Sequence, residues 1–545
     1  MSSPASIQAE TPPEGHPRRW FILGVLVLSL IVVVLDNTVL NVAMKTIADP
    51  KDGLGASQSQ LEWAVNSYTL VFAGLLFTFG VIGDRVGRKR MAMIGLVLFG
   101  LTSVASAFAQ DPTQLILARA GMGIGAAAIM PSTLSILTNV FAPKDRGRAI
   151  GIWSGAVGIG IAIGPIIGGT LLEHFWWGSV FLINAPVVLV ALLAIGFVAP
   201  ESRNPLKTKI DVVGVLLSIA GLVTLTYGII EGGDTGDWSL LKVWGPTAGG
   251  VILLVAFVLY ERMIEFPALD VRLFKERRFS SASAVVALVF FAGMGLMFFM
   301  TFYIQIIKNF SPLQTGLLFL PFAGAMLIFS PLSSVMVKRF GPKATATAGM
   351  TAITLAFTGY LLLDADTPVW VMGVMFFVQG AGMANVMPPA MNTIMGSLPR
   401  EKAGVGSAVG NTLRQVGGSI GVAVLGSVLA QLYRSSITPK LPDGMPHKHD
   451  VAESIASSYG AAQQIAHSGA PGAAQLSRQL MDNATDAFIS AMHTTAIVSA
   501  SVGVVGILVA LILFPRKDRG TGPGGAHERA DEAAQGSAEP VLIEA

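Results

Sequence analysis

The sequence predicts an all-α polytopic membrane protein, and three observations carry that prediction. Mean hydropathy is +0.64, and 52% of the 545 residues are hydrophobic while 13% are charged, about half the charged share of an ordinary soluble domain. Apolar stretches of about 20 residues, each long enough for a hydrocarbon core of roughly 30 Å, recur along most of the chain. Lys and Arg gather in alternate gaps between those stretches, the pattern that fixes loops on the cytoplasmic side.

The pI near 9.0 reflects a formal excess of only +3. Its bases sit in short loops, so they report topology and no nucleic-acid partner is expected. The absence of cysteine excludes disulfides, thiolate zinc sites and iron–sulfur clusters. Residues 1–19 are polar and Pro-rich and read as a cytoplasmic tail. The span they enter is too long for a signal-peptide core and lacks a clear cleavage site, so it is retained.

The first span, 20–42, holds LIVVVLDNTVLNVA at Leu30–Ala43. An ionisable Asp36 inside it, followed by Asn37 and Asn41, is costly in a bilayer and therefore a functional candidate. It suits a group that takes a proton from one side and gives it to the other; the alternative is a structural Asp bonded to a neighbouring helix. The second span, 60–82, contains WAVNSYTL with Asn66 and Tyr68, and runs into GVIGDRVGRKR at Gly80–Arg90. There Gly80 and Gly87 permit a tight turn and close approach, Asp84 can cap or pair, and Arg85, Arg88, Lys89 and Arg90 hold the loop inside. The third span covers 91–109.

The fourth, 113–139, contains LILARAGMGIGAA at Leu115–Ala127. Arg119 there needs an acceptor or a water-filled cavity, unless it snorkels to the helix end. The fifth, 148–172, contains Trp153 and GIGIAIGPIIGG at Gly158–Gly169. Gly160, Gly164 and Gly168 share one helix face, where a neighbouring backbone can approach; Pro165 deletes a helical hydrogen bond, and Gly169 follows. The remaining spans fall at 178–199, 211–231, 243–261, 280–304, 314–337, 344–363, 368–396, 404–432 and 488–514, giving fourteen. An even count places both termini on one side. With the N-terminus inside, 26 basic residues lie in cytoplasmic segments and 8 outside, while Arg119 and Arg414 lie within spans; both termini are therefore expected in the cytoplasm. The stretch VKRFGPK at Val337–Lys343 echoes the Gly80–Arg90 loop, with Lys338 in place of Asp84, as two related bundles would give. Residues 434–489 form a long outer loop, first Pro-rich, then Ala/Gln-rich with helical character. His447, His449 and His467 lie there and are read as part of a mobile polar loop, with no metal site.

The G-x-x-x-D-R-x-G-R-[KR] combination at Gly80–Lys89 resembles the signature of the major facilitator superfamily. The G-x-x-x-G-P-x-x-G-G order at Gly160–Gly169 resembles the signature associated with antiporters in that superfamily. With LDNTVLNVA, FLINAPV (Phe181–Val187), NTLRQVGGSIGVAVLGS (Asn411–Ser427) and fourteen spans, residues 20–514 resemble the fourteen-helix drug:proton antiporters. The Gln that usually follows the span-four arginine is replaced by Met122. The resemblance implies a major facilitator fold of two six-helix bundles plus two inserted helices. These are an N-terminal bundle at 20–200, an inserted pair and linker at 201–279, and a C-terminal bundle at 280–514, before a disordered tail at 515–545. In some relatives the 434–489 loop forms a helical hairpin. It also implies proton coupling through Asp36 and Arg119, a conformational latch at Gly80, Asp84, Arg85, Gly87 and Arg88, and sealing of the outer side by Gly160, Gly164, Pro165, Gly168 and Gly169.

A central cavity is expected from Asn37, Asn41, Asn66, Tyr68, Met130, Trp153, Met294, Phe298, Gln379, Asn392 and Arg414. Soft Met and aromatic surfaces suit several ligands, although each of these residues also serves ordinary packing. Some polycation-exporting relatives carry extra acids in spans two, ten and thirteen. Here those stretches show Asn66, no acid in LPFAGAMLIF, and Asn411, Arg414 and Gln415. One central acid with two arginines favours neutral, monocationic or weakly acidic amphiphiles over dications. The expected activity is proton-coupled efflux of lipophilic small molecules by a monomer in a bacterial inner membrane, driven by the proton gradient without a cofactor. A carrier of one metabolite or of a self-made antibiotic is the alternative. No HExxH, GxSxG with partners or P-loop is present, which argues against an enzyme or ATP-driven pump.

Overall fold

Each long apolar run becomes one helix because a backbone in hydrocarbon must satisfy its own hydrogen bonds. The computed structural model describes residues 16–201, 211–264, 267, 269–398, 403–442, 445, 448–467 and 472–514. The helices are α1 (Arg19–Ala48), α2 (Gln58–Val86), α3 (Arg88–Ala107), α4 (Pro112–Val140), α5 (Pro143–His174), α6 (Ser179–Leu182), α7 (Asn184–Val198), α8 (Val212–Thr235) and α9 (Leu241–Met263). They continue with α10 (Arg277–Phe302), α11 (Pro312–Leu318), α12 (Leu320–Phe340), α13 (Pro342–Gly359), α14 (Val369–Gly396), α15 (Ala403–Ile437), α16 (Lys448–Val451), α17 (Ile455–His467) and α18 (Ala473–Leu513). With α6–α7 and α11–α12 each taken as one interrupted segment, fourteen membrane-length segments lie among the described residues. Twelve are apolar enough to cross a bilayer by length and mean hydropathy. The other two, α2 and α5, are 29 and 32 residues long.

Local chemistry sets the helix ends. Ser57 with Gln60 and Ser311 with Gln314 form reciprocal capping boxes, and Asp111 accepts the Gln114 N–H with Pro112 at the first helical position. The end of α10 widens into a π-helical turn at Tyr303–Ile307, an irregularity often found at functional positions. Outward-facing Leu101, Leu117, Phe197, Leu216 and Ile252 remain exposed, the surface that a lipid surround accepts and water does not.

The two halves repeat each other in backbone detail. Gly87 alone separates α2 from α3 with φ +115°, and Gly341 alone separates α12 from α13 with φ +87°. Both take the left-handed region that favours glycine. Gly123 of α4 lies on the Tyr68 carbonyl of α2, and Gly380 of α14 lies on the Phe322 carbonyl of α12. The weak echo at Val337–Lys343 is therefore a structural repeat whose charges diverged. The paired helices α8 and α9 pack on each other, and α8 also packs on α2 and α15.

Helix α18 starts at Ala473, well before the expected 488, and α17 packs back along it. The Tyr459 hydroxyl lies 2.6 Å from Thr485 Oγ1, and the Tyr433 hydroxyl donates to Ser458 Oγ at 2.6 Å. The Ala/Gln-rich stretch is thus a helical hairpin on one end of α15. His447 and the side chain of His449 fall outside the described residues; His467 is exposed and contacts the Gln463 carbonyl.

Candidate functional site

Asp36 sits midway along α1 and Arg119 on α4, with exposures of 1% and 0%. The Arg119 Nη1 donates to Asp36 Oδ2, forming a buried ion pair. The second carboxylate oxygen accepts from Asn184 Nδ2 at 3.3 Å. Arg119 Nε donates to the Ala64 carbonyl at 3.1 Å, and its guanidinium stacks 4.5 Å from the Tyr68 ring centroid. Burying either charge alone costs several kcal/mol; a pair with its remaining lone pairs and protons satisfied offsets this. Asn184 is held in turn, since its amide donates to Ser103 Oγ at 3.0 Å and Ser103 donates to the Phe181 carbonyl at 2.8 Å. The break between α6 and α7 places Asn184 at the start of α7, aimed at α1. Asn184 lies within FLINAPV, but nothing in the sequence said what that asparagine touches.

The other expected cavity residues divide. Asn37 donates to the Val33 carbonyl of its own helix at 3.1 Å, and Asn41 is partly buried. Asn66 is buried at the junction of the halves, where its Oδ1 accepts from Ser419 Oγ at 2.5 Å and its Nδ2 has no partner. Met130 and Trp153 are buried, the latter with an unpartnered indole N–H. Met294 lies against Gly418, and Arg414 lies 5.6 Å from the Phe290 ring centroid. Phe298 is engaged within the second half by Phe299 and Phe302, and Gln379 by a 2.7 Å hydrogen bond from Tyr360. Asn392 is exposed. The structure thus gathers Asp36, Arg119 and Tyr68 tightly, while Phe298, Gln379 and Asn392 stand apart from them.

At the expected latch, Gly80 lies 3.9 Å, by its would-be Cβ, from Pro131, and Arg85 is exposed. The side chain of Asp84 falls outside the described residues. Glu201, just beyond α7, accepts the Lys89 N–H at 3.2 Å, approaches Arg90 Nε at 3.7 Å, and lies directly over Gly87. Lys89 Nζ donates to the Gly196 carbonyl at 2.7 Å. A side chain at Gly87 would displace the Glu201 carboxylate, and the positive φ there itself favours glycine. Arg88 is partly buried beside this cluster.

The glycine-rich helix α5 makes two seams. Gly160, Gly164 and Gly168 face Val34, Thr38 and Val39 of α1, leaving no room for a Cβ. Gly169 lies on Pro312 and Leu313, and Gly316 of α11 lies on the Pro165 carbonyl. The second seam joins the halves. Nearby, Lys45 Nζ donates to the Gln305 carbonyl at 2.7 Å, Gln305 Nε2 donates to the Val42 carbonyl at 2.9 Å, and Ser311 bonds Glu173. These bridges cluster in the half of the molecule away from the chain termini, so the structure is closed on that face.

Gly316→Val is expected to penalise this closed state by about 1–3 kcal/mol, the usual cost of overpacking. Because the chain has no cysteine, a single Val42→Cys reporter needs no background removal. Its labelling by a membrane-impermeant maleimide should rise severalfold when Gly316→Val is added; unchanged labelling would show that this seam does not control access.

A model of the Major Facilitator Superfamily matches residues 26–422. The chain belongs to the major facilitator superfamily. It is 34% identical to the methyl viologen resistance protein SmvA of Salmonella typhimurium, over 89% of this chain and 95% of that one. It is 33% identical to the multidrug efflux pump LfrA of Mycolicibacterium smegmatis (92% and 97%) and 34% identical to a tetracenomycin C resistance and export protein of Streptomyces glaucescens (77% and 78%). A solved bacterial homologue of the lysosomal transporter Spinster, inward-facing and occupied, superposes with TM-score 0.63 at 17% identity, covering 91% of this chain and 98% of that one. At that identity the likeness establishes the fold.

Within this major facilitator fold, two further acids of the membrane-length helices are buried besides the central Asp36: Glu62 of α2 and Glu261 of α9. Glu62, one turn into α2, is 2% exposed, and among the described residues its carboxylate accepts a hydrogen bond from the Gln58 amide alone, at 3.5 Å. Gly426 of α15 makes room for it. It lines a cleft with Gln58, Asp234, Arg434 and Glu453, where Arg434 pairs with Asp234. Burial, with Asp234 nearby, holds the Glu453 carboxyl above its usual range, against the opposing pull of Arg434. In the sequence Glu62 stands near the start of the second apolar run, and only the packing of α15 shows it to be buried.

Proposed function

We propose that this chain is a proton-coupled exporter of amphiphilic drugs or antibiotics carrying no more than one positive charge. The supporting observation is the buried Asp36–Arg119 pair, held inside the first of two repeated bundles by α2 and α7, while the bridges between the bundles gather on one face. The named relatives act in resistance and export, which favours drug efflux over transport of one metabolite. With both termini cytoplasmic, the bridged face is the outer one, and the state in which Arg119 holds the Asp36 carboxylate follows release of its proton inward. Opening of the α5–α11 seam admits a proton, Asp36 releases Arg119, and the substrate leaves outward. The Gly80–Arg90 loop and Glu201 latch the cytoplasmic ends of α2, α3 and α7. One proton exchanged for a neutral substrate moves one charge, so the potential adds about 2.3 kcal/mol per 100 mV, whereas exchange for a monocation is electroneutral. The protein acts as a monomer in a bacterial inner membrane, with the proton gradient as its energy source.

Acid-loaded inverted vesicles test this reading through substrate-dependent proton release. Pyrenebutanol and pyrenebutylammonium should trigger it, and methyl viologen, a bis-cation, should do so at least about tenfold less. Faster release with methyl viologen would overturn the charge argument. No release with any probe would overturn efflux itself.

A further inference from the structure

The central acid and its arginine neutralise each other, which leaves a second arginine to account for. Arg414, on α15, is partly enclosed and has no hydrogen bond or ion pair among the described residues; its one contact of note is the Phe290 ring of α10 at 5.6 Å. It lies within electrostatic range of Tyr68, whose ring already carries Arg119 on its face. Two buried donors of α2, Asn66 Nδ2 and the Tyr68 hydroxyl, have no hydrogen bond in the geometry of the described residues. The Asn66–Ser419 bond fixes that face of α2 against α15. Buried donors and charges ordinarily find partners, because an unmet one forfeits its hydration. Arg414 thus has no carboxylate partner among the described residues, and the Asp36 carboxylate is already held by Arg119 and Asn184.

We infer that Arg414 forms a subsite for an oxyanion or closely spaced carbonyl oxygens on an aromatic amphiphile, with Phe290 supplying the adjoining apolar surface. The guanidinium fork takes a carboxylate or phenolate bidentately, which an ammonium cannot do. The inference rests on the proposed export function and adds a preference within its substrate class for compounds with an acidic or acceptor-rich edge. It also gives the shortage of central acids a positive meaning: a second cation would meet Arg414 with nothing to shield it.

The full-length protein in lipid nanodiscs, titrated with pyrenebutyrate and its methyl ester, tests the inference. Wild-type protein should bind pyrenebutyrate at least about tenfold more tightly than the ester, the scale of one charge-assisted hydrogen bond. Arg414→Gln should remove that preference, with the larger loss in pyrenebutyrate binding, and Arg414→Lys should fall between. Equal wild-type affinity for the two probes would overturn the subsite without any variant. So would an Arg414→Gln protein that keeps the preference, as expected if water alone solvates the guanidinium. Proton release from acid-loaded vesicles with pyrenebutanol reads the export function separately, so the two ideas fail independently.

Discussion

Asp36→Asn is expected to reduce pH-driven uphill efflux to the passive rate while leaving substrate exchange across the membrane largely intact. Asparagine keeps the size of the side chain and an oxygen that can accept from Arg119 Nη1, so α1 and α4 remain packed. What it cannot do is bind and release a proton, and an intramembrane carboxylate is the natural carrier for one. Two measurements on reconstituted protein separate these effects. Net substrate movement under an imposed pH gradient should fall at least about tenfold, and counterflow of labelled against unlabelled probe, which needs no net proton, should persist. Pyrenebutanol serves both assays. Wild-type rates in the gradient assay would remove Asp36 from the coupling scheme. Loss of counterflow as well would mean that the carboxylate is needed for movement of the bundles and not for coupling alone.

The fold was largely legible in the sequence because hydropathy, loop charge and glycine spacing are local. The Gly160–Gly164–Gly168 face was readable from spacing, and α1 does occupy it. The partner of the same helix on its other side, α11, was not readable, since Gly169 and Gly316 meet only through the arrangement of the bundles. The site was legible as a set of costly residues rather than as a geometry. Asp36 and Arg119 each announced a need for a partner, but they are 83 residues apart, and no local rule pairs them. Asn184 and Glu201 were missed for a related reason: each lies at a helix break or end, where polar residues are common, and its importance comes from what another helix brings to it. The beginning of α18 was misjudged because Ala473–Ala487 is polar enough to read as loop; its amphipathic face finds cover only once α17 folds back on it.

Arg119→Leu should be the most destabilising single change at the site, by about 3–5 kcal/mol, because it leaves the Asp36 carboxylate buried without its counter-charge. Leucine fills much of the apolar volume between Tyr68 and Phe181, so the loss is chiefly electrostatic rather than a cavity. Adding Asp36→Asn to Arg119→Leu should therefore recover most of that stability, since no uncompensated charge remains. Thermal unfolding of the four proteins, followed by size-exclusion fluorescence in one detergent, closes a double-mutant cycle. The coupling between the two positions should approach the cost of Arg119→Leu alone, and the double variant should still bind pyrenebutanol. Additive losses would mean that water or a neighbouring dipole satisfies each charge separately. The pair would then be a crystal-like juxtaposition with no thermodynamic hold, and Arg119 could not restrain the proton that Asp36 is proposed to carry.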